Sequence, residues 1–390
     1  MLATLTRTIG DLQVAEDAVQ DAIVTALETW PRTGPPDNPR AWLAVVARHK
    51  ALDHLRREAR RAGKEETSSW AIGPEPPEPP AHVVRDDQLR LIFTCCHPAL
   101  ALEARVALSL RTLGGLTTAE IARALLVPEP TMAKRLVRAK QKIAVAQIPY
   151  RVPDADELPG RLPAVLGVIY LIFTEGHRAT SGEALVRVDL CDEATRLARL
   201  LAELLPDEPE VQSLLALLLL TDSRRATRID EAGELVLLAD QRRERWDRNQ
   251  IAEGSAIVAA VIERTGGVLG PYGLQAALAV EHATAPTFAA TDWVRIVVLY
   301  DLLLTVNPSP VVALNRAVAV AEAEGPAAGL AALDAIDGLD DLHLWHVGRG
   351  EQLAALGRTD EAAEAFRRAL DRELSAPERR LILRRLDALG

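Results

Sequence analysis

Apolar residues recur every three to four positions along nearly the whole chain and seldom alternate, a rhythm that predicts helices. Between Asp11 and Trp30 they fall at Ala15, Ala18, Val19, Ala22, Ile23, Ala26 and Leu27. Asn38 suits a cap and Pro39 a first turn, so the next helix is expected to run from there to about Arg61. Trp42, Val45, Leu52 and Leu55 are expected to point inward from it. Two more helices are expected between Asp86 and Leu113. Thr117 and Glu120 then have the spacing of a capping box, and Ile121 and Leu125 share one apolar face. Val127-Pro128-Glu129-Pro130 breaks that helix, and a further one carries Met132, Leu136 and Ile143 inward. Beyond, 164–335 reads as successive amphipathic helices, separated at Pro206–Pro209, Gly266–Gly273, Pro286 and Asn307–Pro310. Aromatic residues are only 4% of the chain, so its cores must be built from Ala, Leu and Val. The expectation is an all-α protein.

Proline sets the divisions. Glu65 to Val84 holds Pro74, Pro76, Pro77, Pro79 and Pro80, a density no helix survives, which predicts an extended, mostly disordered tether. Ile148 to Pro163 holds four more prolines and marks a second boundary. The organisation expected is 1–64, a tether at 65–84, 85–150, a linker at 151–165, a helical extension at 166–335 and a repeat at 336–390. In that last stretch Gly350, Leu353, Gly357, Ala362, Phe366 and Ala369 fit the tetratricopeptide pattern of small and large residues in a helical hairpin. Leu374 stands where the pattern usually ends in proline. Leu314–Ile336 is a degenerate neighbour with Gly325 at its turn.

Charge changes the picture. The net is −10, yet residues 1–150 hold 20 Lys/Arg against 17 Asp/Glu and the remainder 25 against 38. That split, +3 and −13, joins a half able to meet nucleic acid to an acidic half suited to protein contacts. Three cysteines, two of them adjacent, leave no disulfide framework and point to a reducing compartment. Cys95-Cys96-His97 reads as core packing rather than a metal site, because neighbouring cysteines diverge on a helix. No signal peptide is visible, and no apolar run is expected to reach the length of a membrane span; the richest, Leu214 to Leu220, is too short. A soluble, cytoplasmic protein is expected, with no cofactor and no membrane partner.

The chemistry concentrates after Thr131. Lys134, Arg135, Arg138, Lys140 and Lys142 decorate the helix there, with no acid from Thr131 to Ile143. A short helix, a tight turn and a basic helix make a helix-turn-helix, whose second helix enters the major groove. Pattern alone also allows an ordinary hairpin with a solvated basic face. The string EIARALLVPEPTMAKRLVRAKQKI closely resembles the promoter-reading helix-turn-helix of bacterial extracytoplasmic-function sigma factors, matching E-I-A, a turn, then T-V-x-x-R-L-x-R-A-x-x-x-[LI]. The match rests on Glu120-Ile121-Ala122, Thr131-Met132, Arg135-Leu136, Arg138-Ala139 and Ile143. VAEDAVQDAIVTALETW resembles that family's segment for docking on RNA polymerase. Glu16, Asp17, Gln20 and Asp21 form its acidic stripe, and the resemblance makes Asp17, Gln20 and Asp21 the core-binding candidates. AWLAVVARHKALDHLRREARR is similar to the segment that opens the −10 element, so Trp42, Arg48, His49, Arg56 and Arg57 are the candidates there. Where the family usually has Asn, this chain has His49. The helix before the acidic stripe looks shortened, from an upstream start or a clipped helix.

The resemblance implies an initiation factor without enzymatic activity. It would bind core RNA polymerase and read −35 through Thr131, Lys134, Arg135 and Arg138, as base or phosphate contacts. YLIFTEGH and GPYGLQAALAVEHA look like the extension of the subgroup with a long tetratricopeptide-like C-terminal part. That part would regulate activity or bind a protein partner. The rival is a stand-alone helix-turn-helix regulator with a tetratricopeptide sensor domain, which would need neither the acidic stripe nor the Arg-rich helix. A third class, an enzyme using Glu175 and His177 as acid and base, has no nucleophile or cofactor motif to support it. Thr221 to Asp247, clustered around Arg224, Arg225 and Arg228, reads equally as a solvated loop or a partner-binding surface.

Overall fold

The computed structural model describes residues 1–61, 81–125, 127–154, 156–177, 186–372 and 374–389, and among them are eighteen α-helices and no strand. The chain divides into two compact units, Met1–Val168 and Ile169–Gly390. The first holds α1 (Leu2–Ile9), α2 (Leu12–Thr33), α3 (Pro39–Arg61), α4 (Ala81–Cys95), α5 (Leu102–Thr112), α6 (Thr118–Ala124), α7 (Glu129–Val145) and the start of α8 (Leu158–His177). Most of the predicted tether lies outside the described residues, but α4 begins at Ala81, inside its expected end.

Helices α1 to α3 pack around Leu5, Val14, Ala15, Ala18, Ala22, Ala47 and Ala51. Asp11 caps α2 by accepting from the Val14 amide at 3.0 Å, and Asn38 accepts from the Ala41 amide at 3.1 Å. Alanines on both sides of the α2–α3 contact let the backbones approach closely. This corrects the expected inward set of α3. Ala47 and Ala51 are fully buried, with Leu43, Val46 and Leu55 beside them, whereas Trp42, Val45 and Leu52 are only half-buried. On α2 the alanines go in, but Ile23, Val24 and Leu27 are exposed, Leu27 at 70%.

A second bundle, α4 to α7, closes over Leu91, Ile92, Phe93, Leu108, Leu110, Ile121 and Met132. Cys95 and Cys96 lie in it as buried thiols, 3.2 Å from Thr112 Oγ1 and 3.5 Å from Ser109 Oγ. Burial pushes the Cys96 thiol up to about 11 and Cys95 higher still, so both are inert and protonated.

Two buried carboxylates tie these bundles together, one from each side. Glu16 on α2 receives Arg111 Nε at 2.8 Å and Lys140 Nζ at 2.6 Å, with 8% of its side chain exposed. Asp87 on α4, with no exposed side-chain surface, receives Arg7 of α1 at 2.9 Å and Arg90 at 3.1 Å. Tyr150 adds a third link, its hydroxyl reaching the carbonyls of Ala3 (2.7 Å) and Asp87 (2.9 Å).

The expected second boundary is also corrected. Helix α8 starts at Leu158 and continues through Pro159, which is tolerated in a first turn, and through Pro163. Val165, Leu166, Val168, Ile169, Ile172 and Phe173 are buried. By length and composition alone α8 is apolar enough to cross a membrane, contrary to the expectation of no such run. Of that apolar window 39% is buried, which marks it as a core helix only in part.

The second unit continues with α9 (Val188–Leu204), α10 (Pro209–Asp222), α11 (Arg248–Thr265), α12 (Pro271–Thr284), α13 (Trp293–Val306), α14 (Pro310–Glu324), α15 (Pro326–Asp334), α16 (His343–Ala355), α17 (Thr359–Leu370) and α18 (Ala376–Asp387). Its breaks fall at the predicted Gly/Pro positions. Leu314–Ile336 is a helical hairpin, α14 and α15, turning at Gly325 with φ +100°. The next hairpin, α16 and α17, buries Leu353, Ala362, Phe366 and Ala369. A Cβ on Gly350 would lie 2.7 Å from the Phe366 ring, so only glycine permits that approach. Thr221 to Asp247 is neither loose nor a helix. Three short 3₁₀ turns fold it back, burying Thr227, Arg228, Gln241, Arg243 and Trp246.

Two stability tests follow from this packing. Glu16→Ala leaves Arg111 and Lys140 facing each other unpaired and should cost about 3 kcal/mol, while exposed Asp17→Ala changes stability by about 0.5 kcal/mol or less. Thermal unfolding of the full chain reads both. Gly350→Val drives a branched side chain into Phe366 and should cost about 1–3 kcal/mol, more than helix propensity returns.

Candidate nucleic-acid interface

The turn between α6 and α7 is built as its residues demand. Glu120 Oε2 accepts from the Thr117 amide at 2.6 Å, and Thr117 Oγ1 accepts from the Glu120 amide at 3.2 Å, closing the capping box. The Val127 amide donates to Ala122 O at 2.9 Å and ends α6. Pro128 and Pro130 open α7, where missing amides cost nothing. Met132, Leu136 and Ala139 then anchor α7 inward; Ile143 is only half-buried.

Thr131, Lys134, Arg135 and Arg138 fall three, four and seven apart from Thr131, so all four emerge on one outward face. Together with Lys142 they line a shallow groove of about 440 Å³, bounded on its other side by Ala99, Leu100, Ala101 and Ala104. No acid lines it. Thr131, Lys134 and Arg138 are exposed and Arg135 half-buried. Lys140 points the other way, into Glu16, and is withdrawn from the basic face. Sequence spacing gives no sign of this, because the buried carboxylate that claims Lys140 lies 124 residues (140 − 16) away in the chain.

On α3, Trp42, His49 and Arg56 follow at seven-residue steps on the face opposite Ala47 and Ala51. His49, Arg56 and Arg57 are exposed, Arg48 and Trp42 half-buried. The Trp42 ring leans on Trp30, centroids 5.5 Å apart. Arg56 lies 3.7 Å from Asp53, a loose exposed pair that leaves its guanidinium accessible. Arg48 sits to one side of the Trp42–His49–Arg56 line. Side chains beyond Arg57 on this helix lie outside the described residues.

On α2 the acidic stripe splits. Asp17, Gln20 and Asp21 are exposed, while Glu16 is consumed internally. Asp17 accepts both Gln13 Nε2 contacts, at 2.9 and 2.8 Å, which holds its carboxylate outward. Val24 and Leu27 continue the same face, and reading Ile23 and Leu27 into the apolar stripe missed that both stay in water. Exposed aliphatics beside ordered acids suit contact with a protein more than with water.

The candidate acid and base separate in character. Glu175 is half-buried. His177 is buried, stacks on Phe173 and lies with Cys191 and Asp222, their donor atoms all within 4.8 Å. Burial, then Asp222, pushes the Cys191 thiol up to about 12. Arg225 neutralises Asp222 through contacts of 2.7 and 2.6 Å.

Comparison with known proteins agrees with this geometry. Residues 1–61 match the sigma-70 region 2 family, residues 90–143 the sigma-70 region 4 family, and residues 161–262 a family of unknown function, DUF6596. An uncharacterised protein of Rhizobium meliloti (strain 1021) is 44% identical over 396 residues, covering 100% of this chain and 93% of that protein. The probable ECF RNA polymerase sigma factor SigI of Mycobacterium tuberculosis is 31% identical over 154 residues, 38% of this chain and 52% of SigI. The ECF RNA polymerase sigma factor SigJ of the same organism is 33% identical over 175 residues, 42% of this chain and 52% of SigJ. The chain thus spans about half the length of each named sigma factor. Both sigma-70 regions thus match in order, region 2 on the α1–α3 bundle and region 4 on the α4–α7 bundle, and over 38–42% of its length the chain is similar to sigma factors of the extracytoplasmic-function type.

Proposed function

We propose that this chain is a sigma factor that brings core RNA polymerase to promoters whose −35 element is read by α7 and whose −10 element is opened by α3. The outward, acid-free face of α7 carries the reading. Arg135 and Arg138 can pair bidentately with guanine, Lys134 with guanine or a phosphate, and Thr131 with a phosphate or base edge. Trp42, Arg48, His49, Arg56 and Arg57 on α3 supply a flat ring and cations for an unstacked strand. His49 stands at the edge where base identity would be read. Asp17, Gln20 and Asp21, with Val24 and Leu27 alongside, would meet the polymerase.

The second unit, in this reading, is a tetratricopeptide-like scaffold that regulates the first or docks a protein partner, in the cytoplasm and without a membrane contact. Its paired helices, α14–α15 and α16–α17, and its acidic balance support that role. The rival, an operator-binding regulator with a sensor domain, leaves the exposed α2 face without a purpose.

Run-off transcription with core polymerase separates the two. The sigma reading expects a start-site-specific transcript that Asp17→Ala weakens through polymerase association; the rival expects DNA binding and no transcript. Arg138→Ala should cost about 1–3 kcal/mol of promoter affinity and relax sequence preference at one position. A chain ending at Tyr150, which keeps the Tyr150 link to Ala3 and Asp87, should differ from the full chain in promoter activity. Equal activity of the two would refute regulation by the second unit.

A further inference from the structure

Within the second unit lies a pocket of about 300 Å³, walled by Leu217, Leu220, Leu278, Leu303 and Trp246. Its polar groups come from Arg224, His282, Tyr170, Gln275, Tyr300 and Asn315, and no acid lines it. In a half that holds 38 Asp/Glu against 25 Lys/Arg, an acid-free pocket is itself a departure from composition.

The Arg224 guanidinium has no hydrogen-bond or ion-pair partner among the described residues. Asp222, two residues before it in the chain, is committed to Arg225 at 2.6 Å. A second guanidinium stands close. Arg243 lies over the Trp246 ring at 4.5 Å and donates to the carbonyls of His282 and Ala285 at 2.7 and 2.8 Å. Burial and Arg243 push the Arg224 guanidinium down to about 10. Burial and both arginines push His282 down to about 4, so it stays neutral, and its Nδ1 is buried without a partner among the described residues. Tyr170 is used up on Gln275 at 3.2 Å, whereas the Tyr300 hydroxyl has no partner among the described residues.

Half-buried Arg224 brings its charge to a pocket with no acid to meet it, and the Arg243 guanidinium nearby adds repulsion that a bound anion would relieve. We infer that this pocket binds a small organic carboxylate with a flat apolar body. The carboxylate would lie on the Arg224 fork, with Tyr300 as a neutral donor and the body against Trp246 and the leucines. One free fork and neutral donors suit a monoanion, and a volume at the lower end of small-molecule sites suits a single ring system. The pocket belongs to the second unit alone, so the inference stands apart from promoter recognition and from the regulatory role proposed above.

Calorimetry and thermal shift on the full purified chain test it, in low-chloride buffer without polymerase. The probes are benzoate, phenylacetate and indole-3-acetate, with benzamide as the neutral isostere and inorganic phosphate as the bare anion. Saturable binding of at least one aromatic carboxylate, with a raised Tm and no effect of benzamide, is expected. Arg224→Met should bind it about tenfold or more weakly, the worth of a charge-assisted pair, while melting no lower than the parent. Tyr300→Phe, which removes only a hydroxyl, should weaken binding less and leave folding intact. The inference is overturned if no carboxylate of the three binds, if phosphate binds as tightly, or if both variants bind like the parent.

Discussion

The first unit depends on an exchange of buried charge. Each bundle sends one carboxylate into the other: Glu16 to Arg111 and Lys140, Asp87 to Arg7. A buried charge is tolerable only when paired and is expensive once a partner leaves. The exchange therefore contributes less to net stability than to uniqueness. Apolar faces of Ala and Leu could slide past one another; four cations and two acids at 2.6 to 3.1 Å cannot.

That exchange also marks the limit of what the sequence discloses. Capping boxes, proline openings and the break between α6 and α7 are local, and each stood where its residues put it. The outward face of α7 was legible for the same reason, since spacing alone places Thr131, Lys134, Arg135 and Arg138 together. The inward face of α3 was not. Large residues such as Trp42 and Leu52 look like core by hydrophobicity, but the helix contact is made by Ala47 and Ala51, because close backbone approach favours the smallest side chains. Proline misled at α8, where the helix runs through Pro163. Nothing local told Glu16 from Asp17, neighbours in one stripe and opposite in fate.

The second unit follows the small-residue logic further. Gly350 admits the Phe366 ring, and Gly329 admits the Ala321 backbone, where a Cβ would come to 2.8 Å from its Cα. Helices that meet through glycine and alanine leave their longer side chains to pair on the rims, as Arg349 does with Asp334 and Arg316 with Asp301. Arg243, by contrast, is buried over the Trp246 ring.

A cation already neutralised by its own protein displaces no counterion when DNA arrives. With Lys140 held by Glu16, α7 offers four free charges, Lys134, Arg135, Arg138 and Lys142, to the phosphate backbone. Each that meets a phosphate steepens the log–log dependence of affinity on salt by about 0.9. Ionic strength thereby becomes a gauge of how many lysines the folded chain has kept for itself.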